Sequence, residues 1–243
     1  MLKNIGFFHF EVNHNNPIRS LEAALDDTKK REEISDSLIV LPEGFNICKF
    51  YKAPGTCNYD PGITEELKNL SKRCHISFVA GLIIRQTDGP NPPYNGAYLI
   101  DGSDCEWMSY KLGNDETENY TVYPSNRPNF KVITNRDFCM GALLCMDALE
   151  YWKGVVDIID KKVCGNKIIC IPACASYTYF SNGECGKILD GEQWRNKRVI
   201  LANSDFNRSN QCNSFITNKE AVIIESFPGD EDRNQNKIVL RQL

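Results

Sequence analysis

The sequence predicts an α/β protein in which mixed β-sheets are covered by helices. In the first half of the chain, short apolar runs alternate with longer segments whose apolar residues recur at helical spacing. The second half repeats this alternation and then ends on apolar runs that follow one another like hairpin strands. The composition, 42% hydrophobic and 25% charged, is that of a globular protein, so we expect residues 1–243 to form one domain.

The first half contains four strands or strand pairs and two helices. Pro17 marks the start of the first helix, which places Ile18, Leu21, Leu25 and Ile34 on one face, and a capping-box-like Thr64 opens the second. The expected elements are strand NIGFFHFEV, helix NPIRSLEAALDDTKKREEI, strand SLIVLPE, helix TEELKNLSKRC, strand ISFVAGLIIR and a hairpin of GAYLID and EWMSYK that turns at Asp101-Gly102.

The second half begins with a polar loop over residues 112–127. After it, we expect strand FCMGALLC, helix ALEYWKGVVDIIDKK, strand KIICIP, a helix around Gly186 to Lys197, and the strands RVILANS, NSFITN and AVIIES. In the first of these helices, Leu149, Trp152, Val156 and Ile159 recur at helical spacing.

Charge and composition exclude several classes of partner. A net charge of −4 argues against nucleic acid and anionic membranes, and no apolar run reaches the ~18 residues of a membrane span. No glycine-rich phosphate loop is present. The N-terminus lacks a signal-peptide cleavage site, so the eleven cysteines are expected to be reduced thiols in the cytoplasm. None of them forms the C-x-x-C pair typical of zinc sites.

Three polar residues follow three of the predicted strands. Glu43 ends SLIVLPE, Lys111 ends EWMSYK, and Cys145 ends the strand that contains GALLC. Ligand sites of open α/β sheets form beyond the carboxyl ends of the strands, so a carboxylate, an ammonium and a thiol meet there if the strands share one direction. Taken singly, each has an ordinary explanation: a core cysteine, a surface lysine closing a hairpin, and a loop carboxylate.

Together the three residue types suit acyl transfer at a carbonyl. A thiol needs a base or a nearby cation to become a nucleophile at neutral pH. Glu43 is suited to accept that proton and to return it to a leaving amine. Lys111 is suited to stabilise the oxyanion of a tetrahedral intermediate, where one donor is typically worth about 3 kcal/mol of barrier. The histidines His9, His14 and His75 stand in no comparable motif.

The segments LIVLPEGF, YK before a polar loop, and GALLCMD resemble the three signature segments of the nitrilase (carbon–nitrogen hydrolase) superfamily, in its order and near its separations. KIICIPACAS and RVILANSD are similar to later strands of that family. The resemblance covers nearly the whole chain. It implies a four-layer αββα sandwich with two mixed sheets, and a homodimer or higher homo-oligomer.

The same resemblance implies roles for site residues. Glu43 would be the general base, Lys111 the oxyanion stabiliser and Cys145 the nucleophile. A second glutamate after the lysine matches Glu118 better than Glu116, although either fits the loop. Asp147 gives the C-x-D pattern of amidases and carbamoylases, which favours an amide over a nitrile as the substrate.

These observations predict a carbon–nitrogen hydrolase that acts on a small linear carboxamide or N-carbamoyl compound through a cysteine thioester, with no metal or organic cofactor. Two alternatives stay open. Trp152 stands where the family often has Pro-Glu, and the C-terminus is short, which leaves room for a catalytically silent binding or scaffold protein. An amide-forming acyltransferase would use the same residues with an amine in place of water.

Overall fold

The structure is a computed structural model that describes residues 2–9, 16–30, 33–49, 58–84, 94–112, 129–135, 137–145, 147–174, 192–204, 214–221, 223–227 and 236–243. The strands, in chain order, are β1 (Asn4–His9), β2 (Ser37–Val40), β3 (Ile47–Lys49), β4 (Asn58–Tyr59), β5 (Ile76–Ile84), β6 (Tyr94–Asp101), β7 (Asp104–Tyr110), β8 (Ile133–Thr134), β9 (Phe138–Ala142), β10 (Asn166–Ala173), β11 (Arg198–Asn203), β12 (Ser214–Thr217), β13 (Ile223–Phe227) and β14 (Lys237–Gln242). The helices are α1 (Pro17–Lys29), α2 (Ile63–Cys74), α3 (Asp147–Glu150) and α4 (Trp152–Asp160), with a 3₁₀ turn at Glu192–Trp194.

Two six-stranded mixed sheets form the centre of the protein. The first has the order β14-β1-β2-β5-β6-β7, in which β1, β2 and β5 are parallel and β6 and β14 run the other way. Since β7 is antiparallel to β6, it runs with β5. The second sheet has the order β13-β12-β11-β10-β9-β8, with β9, β10 and β11 parallel. The short strands β3 and β4 pair separately.

The two sheets pack face to face through an apolar layer. Alternate residues of the central strands supply it, as the period-2 geometry of a strand requires. Its buried members include Ile5, Phe7, Val40 and Val79 from the first sheet and Ala142, Leu144, Ile168 and Ala202 from the second.

Helices cover the outer face of each sheet. Residues of α1 and α2 pack on the first sheet, where Leu21, Leu25, Leu67 and Leu70 are buried. Residues of α4 pack on the second sheet through Val155, Val156 and Ile159. Gly141 on β9 permits this packing, because a Cβ there would lie 2.5 Å from Cγ1 of Val155. The four layers are helix, sheet, sheet and helix, which confirms the predicted αββα sandwich.

Several local predictions are wrong. The helix predicted over residues 148–162 is divided at Tyr151 into α3 and α4. Thr64 does not cap α2, whose N-cap is Gly62 with no side-chain hydrogen bond. Ile34 is buried but lies beyond the end of α1. The predicted helix around Gly186 to Lys197 is only the 3₁₀ turn within its described residues, 192–197.

Two further features were not predicted. Strand β14 pairs antiparallel with β1, which makes it the edge of the first sheet. Cys139 and Cys164 form a disulfide, so the expectation of reduced thiols is wrong for this pair. Described cysteines with free thiols are Cys74, Cys105, Cys145, Cys170 and Cys174. None of the helices in the described ranges is both long and apolar enough to cross a membrane.

Candidate active site

Glu43 lies in a turn that follows β2 and crosses β5 closely. Gly44 adopts a φ of 66°, and the amide of Phe45 donates to the carbonyl of Gly81 on β5 (3.0 Å). A Cβ on Gly81 would lie 2.5 Å from Cα of Glu43, so only glycine leaves space for the turn. The amide of Glu43 donates to the carbonyl of Ala173 at the end of β10 (3.3 Å). The carboxylate is therefore placed where the ends of both sheets meet.

Lys111 directly follows β7 and reaches the same place. Its Nζ donates to Oε1 of Glu43 over 2.8 Å. Each of the two side chains is only 4% exposed, so this is a buried ion pair. The backbone amide of Lys111 donates to the carbonyl of Asn95 (2.9 Å), which fixes the chain at the base of the ammonium group.

Asn95, near the start of the antiparallel strand β6, adds a second donor to the same oxygen. Its Nδ2 lies 2.6 Å from Oε1 of Glu43, and the residue is buried. The sequence reasoning missed this residue. Counted back from the turn at Gly102, a regular hairpin would pair Asn95 with Tyr110. A shift of register between Ala97 and Tyr98 pairs Gly96 with Tyr110 instead and brings Asn95 beside Lys111, which the sequence does not reveal.

Cys145 stands three residues beyond the end of β9 in a strained conformation. Its φ of 45° is in the left-handed region, which costs on the order of 1 kcal/mol or more for a residue with a Cβ. The amide of Cys145 donates to the carbonyl of Pro172 (3.0 Å), next to Ala173, which binds the backbone of Glu43. The thiol is buried, and its Sγ lies 3.9 Å from the carbonyl oxygen of Cys174.

Asp147 joins the cysteine turn to the lysine segment. Its buried Oδ2 accepts a hydrogen bond from the amide of Leu112 over 2.9 Å. Its own amide donates to the carbonyl of Leu144, which closes the turn around Cys145. The two segments that hold Lys111 and Cys145 are therefore tied to each other by one residue, through its carboxylate and its backbone amide.

The structure thus brings Glu43 and Lys111 into direct contact and ties the Cys145 turn to both of their segments. Glu118, like the alternative Glu116, lies outside the described residues. No cluster of three or more potential metal ligands occurs within the described ranges.

The described histidines differ from Glu43 in position and charge. His9 is buried at the end of β1, and this burial lowers its pKa to about 4, so it is neutral at pH 7. His75 is exposed and terminates α2 with a φ of 54°. His14 lies outside the described residues. Glu43, in contrast, is a buried carboxylate paired with a cation.

No protein-family model matches the chain, and no curated protein sequence matches it. Solved structures do match it. A glutamate-to-glutamine mutant of an amidase from Nesterenkonia sp. AN1, with acrylamide added at the active-site cysteine, has a TM-score of 0.72 at 14% identity, over 99% of this chain and 92% of that chain. The same amidase with the acetamide moiety of fluoroacetamide on that cysteine has a TM-score of 0.69 at 15% identity, over 100% and 90%.

A CN-hydrolase superfamily protein from Xanthomonas campestris, with an arsenic adduct in its active site, has a TM-score of 0.71 at 12% identity, over 100% of this chain and 91% of that chain. The Nesterenkonia amidase is described as a member of the nitrilase superfamily. These likenesses span whole chains, although few residues are identical. The fold of this chain is therefore the fold of nitrilase-superfamily structures.

Proposed function

We propose that the protein is a carbon–nitrogen hydrolase that cleaves a non-peptide C–N bond of a small linear carboxamide or N-carbamoyl compound. The observation that carries this proposal is the buried pair of Glu43 and Lys111 (2.8 Å), joined through backbone and Asp147 contacts to the turn that bears a free thiol. Removing a carboxylate and an ammonium from water is costly, so a buried pair of this kind marks a candidate functional site.

The first half of the proposed reaction forms a thioester. Glu43 takes the proton of the Cys145 thiol, and the sulfur attacks the substrate carbonyl. The resulting oxyanion is stabilised by the Lys111 ammonium, whose charge acts strongly because the site is shielded from water. When the C–N bond breaks, Glu43 returns its proton to the leaving ammonia or amine.

The second half releases the acid. Glu43 takes a proton from a water molecule, the hydroxide attacks the thioester carbonyl, and the Cys145 thiolate leaves and is reprotonated. The thiol, carboxylate and ammonium supply every group that these steps need, so we propose no metal or organic cofactor. An amide is favoured over a nitrile by Asp147 and by the amidases that share the fold.

The test is release of ammonia from a panel of short aliphatic amides, N-carbamoyl amino acids and nitriles. We expect release from at least one amide or carbamoyl compound, loss of that release in Cys145→Ala, and retention in Cys105→Ala, which removes a half-buried thiol of β7. If adding an amine yields a new amide in place of the carboxylic acid product, the acyltransferase alternative is correct. No release, with Cys145 labelling no faster than other thiols, would support the silent scaffold.

A further inference from the structure

The two donors that hold Glu43 bind the same carboxylate oxygen. Nζ of Lys111 (2.8 Å) and Nδ2 of Asn95 (2.6 Å) both donate to Oε1. The other oxygen, Oε2, is buried and has no hydrogen-bond partner in the described parts of the chain. The donors therefore occupy the lone pairs of Oε1, and Oε2 keeps its lone pairs for a proton.

Asn95 uses its side chain unlike the other buried asparagine beside this turn. Asn46 bonds through both ends of its amide, since its Nδ2 donates to the carbonyl of Ile83 (2.8 Å) and its Oδ1 accepts from the amide of Ile83 (2.9 Å). Asn46 thus holds backbone. The Oδ1 of Asn95 has no hydrogen-bond partner among the described residues, so its amide bonds only to Glu43.

The backbone of Asn95 also serves this site. Its carbonyl accepts the amide hydrogen bond of Lys111 at 2.9 Å. One residue at the start of β6 therefore fixes the base of the lysine side chain and one oxygen of the glutamate. A substitution of the side chain leaves the backbone bond in place and removes only the donor to Oε1.

We propose that Asn95 is a positioning residue that, with Lys111, fixes Oε1 of Glu43 and leaves Oε2 as the oxygen that exchanges the proton with Cys145. This inference rests on the proposed function and adds an atom-level assignment to it. The thiol proton passes from Sγ to Oε2 as the sulfur becomes a nucleophile. It passes from Oε2 to the leaving nitrogen when the C–N bond breaks, so proton and charge balance in each step.

Alkylation by iodoacetamide tests the assignment without a known substrate. In this reaction, an S–C bond forms at Cys145 as the C–I bond breaks, iodide leaves, and Glu43 takes the thiol proton. The rate is followed by mass spectrometry of the Cys145 peptide between about pH 4 and 9. The acid limb of the profile is the pH range in which the rate falls as the pH is lowered. It reports the coupled thiol and carboxylate, because protonation of that pair stops the reaction.

The central variant is Asn95→Leu, which is similar in size and has no donor. A hydrogen bond donated to a carboxylate favours its ionised form, so losing it moves the acid limb to higher pH by about one to two units. At pH values below the wild-type limb, this is a loss of about tenfold or more in rate. In a Glu43→Gln background, the same change at Asn95 is expected to move the profile by less than about 0.3 unit.

Ser71→Ala is the structural control, since Ser71 is buried and bonds Ile76 and Gly102 in another part of the fold. It is expected to lower stability without moving the limb. If Asn95→Leu is folded and its acid limb stays at the wild-type pH, the role of Asn95 is overturned, but the proposed function is not. An equal shift with and without Glu43 would also overturn the role of Asn95. A wild-type Cys145 with the profile of an ordinary thiol would overturn the inference together with the proposed function.

Discussion

A cysteine lies near each end of strand β9, and the two differ in their bonding. At its amino end, Cys139 is joined by a disulfide to Cys164, which lies just before β10. Beyond its carboxyl end, Cys145 is a free thiol in a strained turn. The parallel strands β9 and β10 start together, and β10 continues beyond the end of β9, so this pair of strands has a cross-link at its amino edge and a free thiol beyond its carboxyl edge.

The lysines repeat this contrast between the two edges. Lys197, just before β11, is buried like Lys111, but it donates to the carbonyls of Gln193 and Arg195 and to Asp160, whose side chain is 46% exposed. Lys111 faces a glutamate that is itself buried. Lys197 is balanced by backbone carbonyls and a half-exposed carboxylate, whereas Lys111 pairs with a carboxylate as buried as itself. This difference is the physical mark of the candidate site.

The largest expected effect separates the two ends of β9. Replacing Cys145 by alanine should lower hydrolysis of the preferred amide by roughly 10⁴-fold or more, because no other group replaces the nucleophile. The double variant Cys139→Ala/Cys164→Ala should keep the wild-type turnover per folded molecule. The measurement is ammonia release, normalised to the folded fraction by circular dichroism. Comparable losses in both variants would mean that the two ends do not differ in function.

The second prediction separates the two buried lysines. Lys111→Met removes the oxyanion donor and leaves the Glu43 charge buried and uncompensated. Turnover should fall about 10²- to 10³-fold, and the free energy of unfolding in urea by about 3–5 kcal/mol. Lys197→Met should keep turnover, because its partner Asp160 is partly in solvent. A Lys111 variant with native activity would contradict the proposed role of the ammonium.

The third prediction concerns the disulfide. Its cysteines are 25 residues apart, and closing a loop of that size in the unfolded chain is worth about 3.5 kcal/mol in the chain-entropy model. Dithiothreitol should therefore lower the free energy of unfolding by about that amount. The free energy of unfolding of Cys139→Ala/Cys164→Ala should already be lower than that of the wild type, and it should not change when the reductant is added. If dithiothreitol lowers the free energy of unfolding equally in both proteins, its effect does not come from this disulfide.

The sequence alone predicted the parts of this comparison that are local. A polar residue that ends an apolar run is visible in one dimension, and Glu43, Lys111 and Cys145 each occupy such a position. The same runs predicted mixed sheets covered by helices, and the family resemblance implied their four-layer arrangement. The proposed roles of these residues, and the placement of Glu118, remain predictions.

What the sequence did not predict depends on contacts between distant segments. Asn95 matters through the register of β6 against β7, and the disulfide through the adjacent starts of β9 and β10. Strand β14 was missed because it follows a long interval and buries only alternate residues against β1. The helix break at Tyr151 was missed because no proline or glycine occupies that position. The close packing of Gly154 against Phe130 was missed because it is a tertiary contact.

The last prediction tests whether the carboxyl edge is also the acid-sensitive edge. His9, at the end of β1, has a pKa of about 4 in the folded protein against 6.5 for an exposed histidine, because burial opposes its charge. Between these values the unfolded chain binds a proton that the folded chain does not. Stability is therefore highest above about pH 6.5 and falls as the pH drops towards 4.

Over the interval from pH 6.5 to about pH 5, this one residue should cost roughly 2 kcal/mol of unfolding free energy. Urea unfolding at several pH values measures it. In His9→Gln the loss of unfolding free energy over this pH interval should be smaller by that amount. Equal losses in the wild type and in His9→Gln would mean that His9 gains a proton without unfolding, and that the carboxyl edge admits water more readily than its burial indicates.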